Sequence, residues 1–138
     1  MREKLFTLIG ILSVAMVTLL TTPSCIAQDK TNRVFEMRTY ICHEDKLEDL
    51  HARFRNNTNR LFVKHGMQLV GYWVPQEKKD TLVYILAYPS REAREKSWEA
   101  FKIDPEWKKI FAESRRDGPI VMKVINQFMD PTDYSLIK

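Results

Sequence analysis

The sequence predicts an α+β fold: one four-stranded antiparallel sheet with its helices on a single face. Three observations predict it. Apolar residues alternate in four short stretches and recur at helical spacing between them. A short charged link, Pro75 to Asp80, joins two of the alternating stretches and reads as a hairpin. Two helix starts are marked, Pro89-Ser90 and Asp104-Pro105-Glu106. The second has an N-cap followed by proline at the first helical position, where a missing N–H costs nothing.

Strand one is predicted from about Arg33 to Cys42. Within it Phe35, Met37 and Thr39 point one way, and Glu36, Arg38 and Tyr40 the other. The Phe35 side suits a hydrophobic core, and the Glu36 side suits the lining of a pocket. His43-Glu44-Asp45 opens helix one, roughly Asp45 to His65, with Leu47, Leu50, Phe54, Leu61 and Phe62 on its apolar face. Lys64 and His65 complement the negative helix end, and Gly66 caps it. Strand two follows from about Met67 to Val74, and strand three from about Thr81 to Tyr88. Helix two, about Arg91 to Lys102, turns Ala93, Ser97, Trp98 and Phe101 inward. Helix three carries Trp107, Ile110 and Phe111, and Asp117-Gly118-Pro119 stops it. Trp98, Phe101, Trp107 and Phe111 fall at helical spacing and read as core. Strand four spans about Ile120 to Met129, with a tail to Lys138. With right-handed crossovers, the order βαββα(α)β is a ferredoxin-like split βαβ.

The amino terminus is a separate matter. Arg2 and Lys4 precede an apolar run from Leu5 to Leu20, which Thr21, Thr22 and Pro23 break. This is the layout of an export signal. The run is short for a membrane span, which needs about 20 apolar residues, so no stable span is expected after cleavage. A retained anchor is the lesser reading. Cys25-Ile26-Ala27 before Gln28 fits a small-x-small cleavage site. Alternatively, lipidated Cys25 becomes the new terminus, although Thr22 stands where such signals usually carry Leu. Either route takes the chain out of the cytoplasm, as a periplasmic, secreted or lipid-anchored protein. The expected division is a signal over 1–27, a linker over 28–32 and a domain over 33–135.

Cleavage after Ala27 leaves 111 of the 138 residues, and losing Arg2, Glu3 and Lys4 lowers the formal charge from +4 to +3. That is one domain with a modest core. Its basic and acidic residues are interspersed, with no one-sided basic stripe, which argues against a nucleic-acid partner. Cys42 would be the sole remaining cysteine, so no internal disulfide can form.

Strands two and three are apolar on both faces. Val83, Ile85 and Ala87 back onto Leu82, Tyr84, Leu86 and Tyr88, and Leu69, Gly71 and Trp73 onto Val70, Tyr72 and Val74. Helices can cover only one face, and an exposed apolar patch of that size marks an interaction surface. The simplest cover is a second copy, so a homodimer enclosing a barrel-like interior is expected.

The series VFEMRTY, HGMQLVGYW, VYILAYPSREAREKSWEAF, DPEWKK and PTDYS runs in order over about residues 34–135. It resembles the NIPSNAP family across essentially the whole domain. The resemblance implies the dimeric α/β-barrel form of the ferredoxin-like fold. Animal members have described roles in trafficking and mitophagy signalling, while many bacterial members have no assigned activity. This chain departs from the animal proteins in being a single domain behind a signal sequence, so those roles do not carry over. Related dimeric barrels include small monooxygenases, isomerases and haem-handling enzymes, an analogy of fold that does not establish function.

Three side chains of strand one are the leading site candidates: Arg38 as an anion or carbonyl anchor, Glu36 as a base and Tyr40 as a hydrogen-bond donor. A structural ion pair inside the dimer barrel is the alternative. Tyr72, Tyr84 and Tyr88 are expected to line the same interior, with Trp73 at its mouth, or else to serve as interface packing. His65 is a candidate proton carrier, or only a complement to the helix end. No metal site is expected, since His43 and His51 lack ligand-spaced partners, and no haem ligand is expected among the three histidines. Cys42 and His43, as neighbours on a strand, point apart and make a poor nucleophile–base pair. Four glycines, none clustered, leave no phosphate loop, and no cofactor is expected. The sequence thus points to an exported homodimer with a small-molecule pocket. The alternatives are a cofactor-independent monooxygenase or isomerase using Arg38 with Glu36 or His65, and a non-catalytic protein-interaction subunit.

Overall fold

A computed structural model of the chain describes residues 33–138. The signal over 1–27, its cleavage or lipidation, and the expected linker over 28–32 lie outside the described residues. Four strands, β1 (Val34–Cys42), β2 (Gln68–Trp73), β3 (Thr81–Tyr88) and β4 (Val121–Met129), form one sheet in the order β2-β3-β1-β4. Every pairing is antiparallel. β1 and β2 are separated by β3, which is the split βαβ arrangement of the ferredoxin-like fold. Among the described residues, no helix is long and apolar enough to cross a membrane.

The first helical run begins later than its sequence suggests. Asp45 adopts a left-handed backbone with φ 57°, which an L-residue tolerates in a turn but not in a helix. The run therefore starts at α1 (Leu47–Arg53), continues through a π-helical turn (Phe54–Thr58) and ends as α2 (Asn59–Lys64). The π turn shows in the Asn59 N–H, which bonds back to the Phe54 carbonyl, five residues away. Gly66, with φ 79°, completes a paired cap: its N–H bonds to the Val63 carbonyl at 3.0 Å, and the Met67 N–H to the Phe62 carbonyl at 2.9 Å.

Two more helices follow, α3 (Arg91–Ile103) and α4 (Pro105–Glu113). Ser90 caps α3 by accepting the Ala93 N–H at 3.1 Å. Asp104 caps α4 by accepting the Glu106 N–H at 2.8 Å. Its other oxygen is held by Lys64 and His65, at 2.7 Å each, which ties the end of α2 to the start of α4. These two hydrogen bonds hold the Asp104 carboxyl below the ordinary carboxylate range.

The core lies between sheet and helices. Leu50, Phe54, Leu61 and Phe62 pack from the first helical run, Trp98 and Phe101 from α3, and Leu82, Tyr84, Leu86 and Tyr88 from β3. α4 differs from expectation: none of its residues is fully buried. Trp107 and Ile110 only pack against the core, and Phe111 is exposed on one side.

The strand faces are reversed relative to the expectation. Register places Glu36, Arg38 and Tyr40 beside Leu86, Tyr84 and Leu82, on the helix-covered face. Phe35, Met37, Thr39 and Ile41 lie on the opposite, helix-free face with Val83, Ile85, Ile125 and Trp73. The cause is α3, whose Arg94 and Trp98 supply the donors that a buried Glu36 requires.

Candidate functional site

β1 sends Glu36 into the core, where it is fully buried. Arg94 grips both its oxygens, Nη2 to Oε1 at 2.7 Å and Nε to Oε2 at 2.9 Å. Arg38 Nη1 donates to Oε1 at 2.6 Å. Trp98 Nε1 at 3.1 Å and the Tyr88 hydroxyl at 3.3 Å donate to Oε2. Burial alone would raise the Glu36 pKa, but the Arg94 hydrogen bonds and the Arg38 charge outweigh it and bring it below the ordinary value. Arg38 lies over the Trp98 ring at 4.3 Å and donates to the Tyr40 hydroxyl at 3.4 Å. Burial works against its charge, yet Tyr40, Tyr84 and Glu36 around it raise its pKa.

Next to this network a pocket of about 350 Å³ opens between the sheet and the helices. Tyr40, Phe54 and Phe62 line it from the strand and first helical run, and Trp98, Phe101, Trp107 and Phe111 from α3 and α4. Ile120 and Val121 to Val124 close the β4 side. There Met122 is an extra residue, since β1 pairs Ile41 with Lys123 but Cys42 with Val121. The size suits a small organic ligand, and the apolar wall matches such sites.

One charge intrudes on that wall. Arg53, at the last residue of α1, is 6% exposed and lines the pocket. Its guanidinium stands 5.6 Å from the Trp107 ring centre and 5.5 Å from that of Phe111. It donates to Ser114 Oγ at 3.2 Å, and its Nε has no partner. No carboxylate of the described residues pairs with it. Burial lowers its pKa, and neighbouring Arg115 adds to the effect. The π turn begins at the next residue, where the Thr58 hydroxyl bonds to the Arg53 carbonyl at 3.2 Å. Such turns recur at functional sites.

The residues expected at the site are only partly gathered. Tyr40 lines the pocket; Glu36 and Arg38 stand behind it, locked to each other and to α3. Tyr84 is fully buried below, stacked on Tyr72 at 5.6 Å and edge-on to Tyr40 at 5.2 Å. The hydroxyls of Tyr72 and Tyr84 lack partners, and burial pushes both pKa values up. Tyr88 is taken into the Glu36 network. Trp73 lies on the open face, over Gly71. His65 is bonded to Asp104 and does not line the pocket. Cys42 is buried, which pushes its thiol up to about 11. Among the described residues, no group of three or more His, Cys, Asp or Glu side chains is placed to hold a metal ion.

Arg53 is the residue that sequence reasoning missed. A signal was present: it follows Leu50 by three positions and sits beside Phe54, so it falls on the apolar stripe of its helix. A charge on a stripe that the core must cover is the kind of buried polar group that calls for an explanation.

A family model described as NIPSNAP matches residues 35–136. Among solved structures, a NIPSNAP family protein of unknown function from Agrobacterium tumefaciens superposes with a TM-score of 0.70 at 21% identity, covering 79% of this chain and 96% of that one. An uncharacterised NIPSNAP-like domain protein from Burkholderia xenovorans gives 0.68 at 17% identity, covering 76% and 90%. SnoaB, a cofactor-independent oxygenase from Streptomyces nogalater, gives 0.54 at 13% identity, covering 78% and 99%, a likeness of fold alone. Among curated proteins none matches the chain significantly. The family match runs from Phe35 in the first strand to Leu136 in the tail, taking in all of the sheet but Val34, every helix of the described residues and the pocket between them; this chain belongs to the NIPSNAP family.

Proposed function

We propose that this protein is an exported, homodimeric small-molecule binding module with one pocket in each copy, between the sheet and that copy's own helices. The observation that carries the reading is the aromatic pocket of about 350 Å³ with Arg53 in its wall. Its lining includes no carboxylate and no imidazole. That favours binding over proton transfer by Glu36 or His65, the chemistry that an oxygenase or isomerase would require of them. Export is supported by the basic, apolar and small-residue order of residues 1–27. Pairing is supported by the helix-free apolar face of the sheet.

A thermal-shift screen of the purified protein against small aromatic and carbonyl compounds tests the pocket. Binders are expected to raise Tm by several degrees and to lose that effect in Val124→Trp, which narrows the pocket's β4 side. A shift that survives Val124→Trp places the ligand elsewhere. A screen in which no compound stabilises the protein supports the protein-interaction reading instead.

A further inference from the structure

We propose that the ligand of this pocket is an organic anion with a flat apolar body, an aromatic or conjugated carboxylate whose charged end pairs with Arg53. The inference rests on the binding reading above and adds the charge and shape of the occupant.

Charge comes first. Four cations line the pocket, Arg53, Lys102, Arg115 and Lys123, and no acid does. None of the four forms a salt bridge among the described residues. Three are exposed, where water can solvate them; Arg53 is not. Its one side-chain bond goes to a neutral hydroxyl, which cannot balance a buried guanidinium. The same protein shows how it treats its other inward-facing guanidiniums: Arg38 and Arg94 share the carboxylate of Glu36. Asp49, Glu113 and Asp117 line the groove on the far side of Arg53, but none comes within ion-pairing distance of it. Arg115 sits close enough for its charge to oppose that of Arg53. Two like charges beside one cavity are relieved by an anion between them.

Shape follows from the wall. Trp107 and Phe111 flank the guanidinium, and Tyr40, Phe54 and Trp98 continue the surface inward. Such faces favour a planar body by stacking and edge contacts. A guanidinium fork matches a planar carboxylate bidentately. A compact, heavily hydrated polyanion such as phosphate would leave those walls without a partner.

The test compares two probes of one shape, 2-naphthoate and 2-naphthamide, by titration calorimetry against the wild type, Arg53→Gln and Arg115→Gln. The acid is expected to bind the wild type at least ten-fold more tightly than the amide. Arg53→Gln should abolish that preference while leaving the amide's affinity within two- to three-fold. Arg115→Gln, at an exposed position, should reduce the preference without loss of fold. Equal binding of acid and amide to the wild type overturns the charge assignment and leaves the pocket reading standing. Binding of neither probe overturns both. An acid preference that survives in a folded Arg53→Gln protein overturns the role of Arg53.

Discussion

At Glu36 two guanidiniums, an indole N–H and a phenol O–H converge on one buried carboxylate. Such a site is costly to assemble but worse to break, because removing the carboxylate strands its donors. Glu36→Gln is therefore expected to destabilise the protein by about 3 kcal/mol at neutral pH, measured from urea unfolding. The pH dependence has a definite sign. The folded pKa of Glu36 lies below its unfolded value, so its contribution is fully present above the unfolded value of about 4.3. It is lost as pH falls through the folded value. Between pH 6 and 2 the wild type should lose more stability than Glu36→Gln. Parallel curves would show that the carboxylate is not the titrating element.

At the scale of elements, the first helical run is governed by its interruption and its end. The π turn inserts one residue, which lets Leu50 and Arg53 face inward before it, Phe54 and Thr58 at its two ends, and Leu61 and Phe62 after it. Its end depends on Gly66 in the left-handed region, φ 79°. A methyl there would find room, with Ser97 Oγ at 3.7 Å, so the cost is one of backbone alone. Gly66→Ala should destabilise by about 1 kcal/mol, seen as a lower urea midpoint with unchanged slope. A neutral substitution would mean that the cap relaxes into another turn.

At the scale of the molecule, the helix-free face dominates. Trp73 is 51% exposed and Ile125 40%, on the same side as Met37, Ile41, Val83 and Ile85. A second copy would cover this face, with Trp73 as an aromatic anchor. Ile125→Glu is then expected to raise the dimer dissociation constant at least ten-fold in sedimentation equilibrium while leaving the circular dichroism spectrum unchanged. A wild-type protein that sediments as a monomer at tens of micromolar removes the pairing.

The hairpin and the three helix caps were legible in the sequence because each depends on neighbours close in the chain, whereas the strand order followed from the succession βαββα(α)β with right-handed crossovers. Ser90, Asp104 and Gly66 act within a few residues of themselves. The pairing of Glu36 with Arg38 was legible for the same reason, since two residues apart on a strand means the same side. The third and fourth partners, Arg94 and Trp98, come from 58 and 62 residues away and had no local signature.

What the sequence determined by itself was local: which residues of β1 and β3 share a side, and where α3 and α4 begin. In β2 a bulge between Leu69 and Gly71 puts Leu69 on the helix side with Tyr72, not with Gly71 and Trp73 as their alternation suggests. Only the tertiary structure decided which side the helices cover. An alternating strand presents two apolar faces that local rules cannot rank, and the choice falls to long-range partners such as Arg94. The same packing left Arg53 buried without an acid, because a helical stripe sets which way a residue points but not what meets it there.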